Sequence, residues 1–215
     1  MYTLYYSPST ASLVVHVALL EIGAKHELKL LDFASKQQKD AAYLALNPNG
    51  VVPTLILNGQ AYIESAAILM LLAEHHPKAG LAPAHGSVEH DLWRQWIVYL
   101  SNDLQSTFRF WFYPQDLGSV EHPEPVRRAL QHKIEHIFNH IDTHLKQHGP
   151  YLLGSQFSAA DLLLCMLMRW SRNMPKPATA WPSLNKLTHL VTARPSWKKM
   201  QAIEELSTWP EVTSA

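Results

Sequence analysis

The run Asn47-Pro48-Asn49-Gly50-Val51-Val52-Pro53-Thr54-Leu55, followed by Glu64-Ser65 at the head of an apolar stretch, carries residue types suited to holding a small charged molecule. Pro53 has no amide hydrogen and sits where a strand begins, a place proline tolerates at a sheet edge or strand start. The backbone of Val52 is thereby left to pair with something other than its own sheet, as an extended ligand does when it adds to an edge. The Val52-Pro53 bond is also one of the few that can be cis. At Glu64-Ser65, helix-start amides and a hydroxyl suit a carboxylate, and the acid suits an ammonium. Either segment alone reads as an ordinary strand start or helix start. In this order and at this spacing they read as a socket for a small peptide with both charges.

The elements that must position these residues follow from patterning. Tyr2 to Tyr6 is strand-like and stops at Ser7-Pro8, and a helical face in Leu13, Val17, Leu20 and Ala24 follows, ending around Gly23. Glu27 to Leu30 alternates as a half-buried strand, and Ala41, Leu44 and Ala45 form a weaker helix that Asn47-Pro48 stops. Thr54 to Leu57 and Ala61 to Ile63 flank Asn58-Gly59, a hairpin signal because both turn positions need positive φ. A helix from Glu64 to about His75 completes a β-α-β-α-β-β-α unit with one parallel crossover and one antiparallel hairpin. A stretch rich in proline and glycine then reads as a linker, and all that follows is helical. One long amphipathic helix is expected from about Ser87 to Tyr113 and another from about Pro123 to Lys146. Ser158 and Asp161 form a capping box with Phe157 able to staple onto Leu162, and Pro182 and Pro195 open two shorter helices. The expected fold class is therefore α/β plus all-α: an N-terminal domain over 1–77, a linker over 78–86 and an all-helical domain over 87–215.

Composition excludes several functions. With 215 residues, 47% of them hydrophobic, the chain can build proper cores. Lysine plus arginine equals aspartate plus glutamate at 18 each, so no global field favours nucleic acid or an anionic membrane. One cysteine makes no internal disulfide, no signal-type segment precedes Tyr2, and the densest apolar run, Leu162 to Met168, falls short of the roughly 20 residues a spanning helix needs. A cytoplasmic protein without a membrane segment is the expectation.

A small thioredoxin-like unit bearing Asn47-Pro48-Asn49-Gly50-Val51-Val52-Pro53 and Glu64-Ser65-Ala66-Ala67-Ile68, then a helical domain with the Ser158 to Asp161 capping motif, resembles the cytosolic glutathione transferases over essentially the whole chain. The resemblance implies that Val52 pairs with the cysteinyl backbone of glutathione beside a cis-Pro53, and that Glu64 and Ser65 hold its γ-glutamyl end. Such chemistry needs a thiolate, yet a thiol of pKa about 8.5 is only a few per cent ionised near neutrality. A hydroxyl donating to sulfur at a helix start, where the amides point the same way, stabilises the anion. The loop Ser7-Pro8-Ser9-Thr10-Ala11-Ser12 lies at such a place. By similarity to the serine-type transferases Ser9 is the first candidate, with Thr10 second, Ser12 third, and Tyr5 and Tyr6 as minor options. The bacterial beta-class proteins are similar here but carry a cysteine where this chain has Ala11, so a mixed disulfide cannot form in the loop. The lone Cys165, inside an apolar run, is expected in the core.

Thirteen histidines raise the question of metal. His132, His136, His140, His144 and His148 recur every fourth residue, but each step turns about 40° beyond a full circle, so the row winds around its helix and no metal is expected. For a hydrophobic co-substrate the candidates are Phe108, Trp111 and Phe112, with Tyr113, Trp170 and Trp209 behind them. The resemblance further implies a homodimer in which Asp103, with Gln105 as second choice, reaches the partner's glutathione. The activity implied is that of a detoxifying glutathione S-transferase, with glutathione as co-substrate attacking an electrophilic apolar compound. The alternatives are a glutathione-dependent reductase, peroxidase or isomerase, and a non-catalytic binding protein.

Overall fold

The computed structural model describes residues 1–210, which divide into two compact units, Met1–Ala82 together with the chain from Thr192 onward, and Pro83–Val191. In the first unit, strands β1 (Tyr2–Tyr6), β2 (His26–Leu30), β3 (Thr54–Leu57) and β4 (Gln60–Ile63) form one sheet in the order β2-β1-β3-β4. β1 runs parallel to β2 and antiparallel to β3, and β3 pairs antiparallel with β4 across the Asn58-Gly59 turn, where both residues have positive φ. Helices α1 (Ser12–Glu21), α2 (Ala41–Leu44) and α3 (Ser65–His75) complete the expected β-α-β-α-β-β-α order. α1 packs on β1, α3 and the C-terminal helix α9 (Pro195–Ile203). That setting explains its all-round burial of Leu13, Val14, Val15, Val17, Ala18 and Leu19.

The docking of α9 differs from the sequence-based division, which places the whole of 87–215 in the helical domain. Charged groups make the attachment. His16 Nδ1 lies 2.8 Å from Glu204 Oε1 with both side chains fully buried, and Arg194 donates to both oxygens of Glu21 at 2.7 and 2.8 Å, where Ser196 also donates.

The second unit contains α4 (Val88–Tyr99), α5 (Ser106–Phe112), α6 (Glu124–His148), α7 (Ala159–Trp170) and most of α8 (Pro182–Thr192). The single long helix expected from Ser87 to Tyr113 is interrupted: residues Leu100–Gln105 form a π-helical segment between α4 and α5. Just after it, Ser106 donates to the Ser101 carbonyl five residues back and Thr107 to the Asp103 carbonyl at 2.6 Å. α7 is buried along almost its entire length, with Leu162 to Met168 wholly inaccessible. No helix among the described residues is long and apolar enough to cross a membrane.

Candidate functional site

Strand register decides which loops meet. Tyr5 pairs with Thr54 and Thr54 with Ile63, so these residues form one row across β1, β3 and β4. The segments continuing from that row are the β1–α1 loop after Tyr6, Val52-Pro53 just before β3, and Glu64-Ser65 just after β4. All three leave the same edge of the sheet. The starts of α1 and α3 lie there too, and the positive ends of their helix dipoles favour negative charge.

The approach to β3 is braced from below. The Asn47 side-chain amide donates to Thr54 Oγ1 at 3.2 Å, Thr54 lies 2.7 Å from the Tyr43 hydroxyl, and Tyr43 donates to the Val51 carbonyl at 2.6 Å. Asn47 also donates to that carbonyl at 2.8 Å. Burial raises the Tyr43 phenol above its ordinary range, which keeps it a proton donor in this relay. Gly50 is required twice over. Its φ is 58°, and a Cβ there would stand 2.8 Å from the Gln38 carbonyl and 2.7 Å from Lys39 Nζ. Above this brace the Val52-Pro53 peptide is cis, the β1–β3 ladder has ended at Tyr5 and Thr54, and among the described residues no hydrogen bond engages the Val52 amide or carbonyl.

At the β4–α3 junction Glu64 is exposed and held at φ 68°, ψ 111°, outside the usual regions for a side-chain-bearing residue, and no side chain caps the helix. Ser65 is buried at the first helical position. In the β1–α1 loop the three serine and threonine candidates separate. Thr10 and Ser12 both donate to the Ser7 carbonyl, at 2.7 and 3.1 Å, and their oxygens lie 2.8 Å apart. Ser12 also accepts from the Ser7 amide at 3.2 Å and is wholly buried. Each hydroxyl has one proton, and in these two it is spent inside the loop. Ser9 is half-buried with φ 64°, a different presentation from either. Of the tyrosines, Tyr6 has its phenol pushed up by burial and by Glu204 and Glu205, the wrong direction for a strongly polarised donor.

This architecture has counterparts. The glutathione S-transferase N-terminal domain matches residues 1–80, and the glutathione S-transferase C-terminal domain matches residues 102–202. The chain belongs to the glutathione S-transferase family. The glutathione S-transferase GST-4.5 of Xanthomonas campestris is 30% identical over 172 residues, covering 78% of this chain and 81% of the relative. A maleylacetoacetate isomerase of Dictyostelium discoideum is 30% identical over 194 residues, 87% of each. Among solved structures, a ternary complex of BphK, described as a bacterial GST, superposes with TM-score 0.84 at 34% identity, covering 95% of this chain and all of the other.

In the helical unit the remaining candidates part company. Phe108 is wholly buried and packed against Phe112, Phe138 and Trp170. Trp111, Phe112 and Trp170 instead line a cleft of about 390 Å³ within this unit. Tyr113 is covered by the Arg109 guanidinium, 3.9 Å from the ring centroid. Trp209 is buried and belongs to the first unit. Asp103 sits in the π-helical segment and is paired within its own chain to Lys133 at 2.9 Å, while Gln105 is half-buried.

Of the histidine row, His132, His136, His140 and His148 are exposed. His144 packs on Trp96 and donates to the Leu152 carbonyl at 2.9 Å; burial lowers its pKa, and His148 and His140 add to this. Among the described residues no three His, Cys, Asp or Glu side chains are grouped to hold a metal ion. Cys165 is buried, and burial with the charge of Asp161 pushes its thiol well up, which makes it inert. Sequence patterning missed the Tyr43 relay and the α9 clamp on α1. The pairing of Tyr43 with Asn47 and Thr54 left no periodic signal, and His16, Glu21 and Glu204 are types that patterning assigns to the surface.

Proposed function

We propose that the N-terminal unit binds glutathione across the edge where β1, β3 and β4 meet α1 and α3. Val52 pairs with the cysteinyl backbone, Pro53 keeps that strand start out of the sheet, and Ser65 with the α3 amides takes the γ-glutamyl carboxylate while Glu64 takes its ammonium. Ser9 donates to the sulfur, helped by the start of α1, and stabilises the thiolate for attack on an electrophile. The single observation supporting this reading most is the Tyr5, Thr54 and Ile63 row, which delivers all three ligand-facing segments to one edge. The protein's contribution is positioning and electrostatics, since the sulfur is itself the nucleophile.

The reaction proposed is conjugation of glutathione to an electrophilic small molecule in detoxification, by a cytoplasmic homodimer in which Asp103 faces the partner's site. A cis–trans isomerisation by reversible thiolate addition is the second reading, favoured by the similarity to the Dictyostelium isomerase over 87% of the chain. Titration calorimetry with glutathione tests the binding, and thiolate absorbance across a pH series tests the activation. Turnover of halonitroaromatics, hydroperoxides and a cis-enone then separates conjugation, peroxidase and isomerase chemistry. Absence of binding at millimolar glutathione would reduce the chain to a non-catalytic member of the fold.

A further inference from the structure

The cleft of the helical unit carries more charge than a general apolar site needs. It is lined by Trp111, Phe112 and Trp170 together with Arg127, Arg172 and Glu121. The Arg127 guanidinium lies over the Trp111 ring, 4.2 Å from its centroid, and Arg172 donates to the Arg169 carbonyl at 3.1 Å. Neither arginine is among the salt bridges of the described residues, whereas Arg109 pairs with Asp116, Arg128 with Glu124 and Arg194 with Glu21. Two guanidiniums without carboxylate partners among the described residues, and one carboxylate, therefore line the same aromatic cleft.

The cleft also holds unspent polarity. His122 Nε2 lies 2.6 Å from the Phe110 carbonyl oxygen, so it is this nitrogen that carries the proton, and Nδ1 has no hydrogen-bond partner among the described residues. The Trp170 indole N–H has none either. A guanidinium is planar and forked, matches a carboxylate in two parallel hydrogen bonds, and stacks on aromatic faces. Aromatic walls favour a flat ring, and the volume suits a substituted benzene or naphthalene.

From this geometry we propose that the cleft binds a planar aromatic carrying a carboxylate, its ring against Trp111, Phe112 and Trp170 and its anion held by Arg127 and Arg172. This binding site stands independently of the glutathione reading above.

The test begins without glutathione. Calorimetric titration of the full chain with 3,5-dinitrobenzoate and with 3,5-dinitrobenzamide, equal in shape but different in charge, should show the carboxylate binding on the order of tenfold tighter. The preference should shrink as salt is added. Arg127→Gln and Arg172→Gln should each remove a large part of it, Arg127→Lys and Arg172→Lys should restore part, and Arg128→Gln should leave it unchanged. Equal binding of the two compounds by the unmodified chain, binding of neither, or a preference surviving in the folded double glutamine variant would overturn the proposal. Loss of glutathione binding alone defeats the transferase reading and leaves this site standing, while glutathione binding without anion preference defeats only the role of the cleft.

Discussion

Two helix starts in this chain are built from the same residue types and used in opposite ways. At α7, Ser158 and Asp161 satisfy one another and their surroundings. The carboxylate accepts from the Leu152 and Ser158 amides at 2.8 Å each and from the Ser158 hydroxyl at 3.1 Å, and that hydroxyl accepts from the Ala160 amide at 3.3 Å. At α3, Glu64 and Ser65 also pair an acid with a serine, yet the acid is exposed, caps nothing and holds a backbone conformation that side-chain-bearing residues rarely adopt. A closed set of hydrogen bonds stabilises a fold. An acid held in a strained, solvent-facing turn is an arrangement that folding alone does not call for.

Removing the closed set should have the largest effect. Asp161→Ala strips two buried backbone amides of their acceptor and should cost about 3 kcal/mol in urea unfolding, with glutathione affinity of the folded protein unchanged. A loss below about 1 kcal/mol would show that α7 does not depend on its cap. The same site gives a pH signature. Burial raises the Asp161 carboxyl from 3.8 to about 6 against the pull of its hydrogen bonds. The folded chain therefore binds a proton that the unfolded chain has released between about pH 4 and 6, and this group's contribution to stability falls as pH rises through that window, by about 3 kcal/mol in all. The stability difference between the parent and Asp161→Asn should accordingly narrow from pH 4 to 6. A widening difference would reverse the assignment.

At the α3 start the effects should invert. Ser65→Ala should weaken glutathione binding by about ten- to a hundredfold, the range of a lost hydrogen bond to a carboxylate, while unfolding stability shifts by less than about 1 kcal/mol. Equal losses in binding and stability would mean that Ser65 is a second structural cap and would erase the contrast with Ser158.

What the sequence revealed of this contrast depended on how local the signal was. The α7 cap lies within four residues and was fully legible, and so were the Asn58-Gly59 hairpin and the parallel crossover before it. Val52-Pro53 and Glu64-Ser65 were read together as one socket from their order and spacing, while the strand register that brings them to one end of the sheet is not encoded by periodicity. The distant, polar contacts were not legible. His16 with Glu204, and Glu21 with Arg194, bury charge between helices far apart in sequence, and a hydrophobicity pattern reads such residues as solvent-facing. Among the hydroxyls of the first loop, sequence placed Ser9, Thr10 and Ser12 together, and only geometry showed Thr10 and Ser12 turned onto Ser7. Phe108 and Phe112 share a helical spacing, and burial alone assigns the first to the core and the second to the cleft.

Ser9→Ala examines that loop. It should raise the pKa of bound glutathione by about one unit, equivalent to about 1.4 kcal/mol, with little change in affinity, as followed by thiolate absorbance. An unchanged titration would move the role to Thr10, Ser12 or a tyrosine and would require the Ser7 network to open when glutathione binds.

Glu64→Gly gives the smallest but most discriminating effect. At φ 68° a residue with a Cβ pays a steric cost that glycine avoids, while glycine gives back part of that gain through its freer unfolded chain. The two nearly offset, with a residual gain of about 0.5 kcal/mol in unfolding stability. If Glu64 holds the ammonium of glutathione, the same change should weaken binding severalfold, so that the protein becomes slightly more stable and a poorer binder at once. A purely structural residue cannot produce that opposition. Loss of stability without loss of affinity would show that the Glu64 side chain supports the turn instead of facing a ligand, and the α3 start would then differ from the α7 start only in how its hydrogen bonds are arranged.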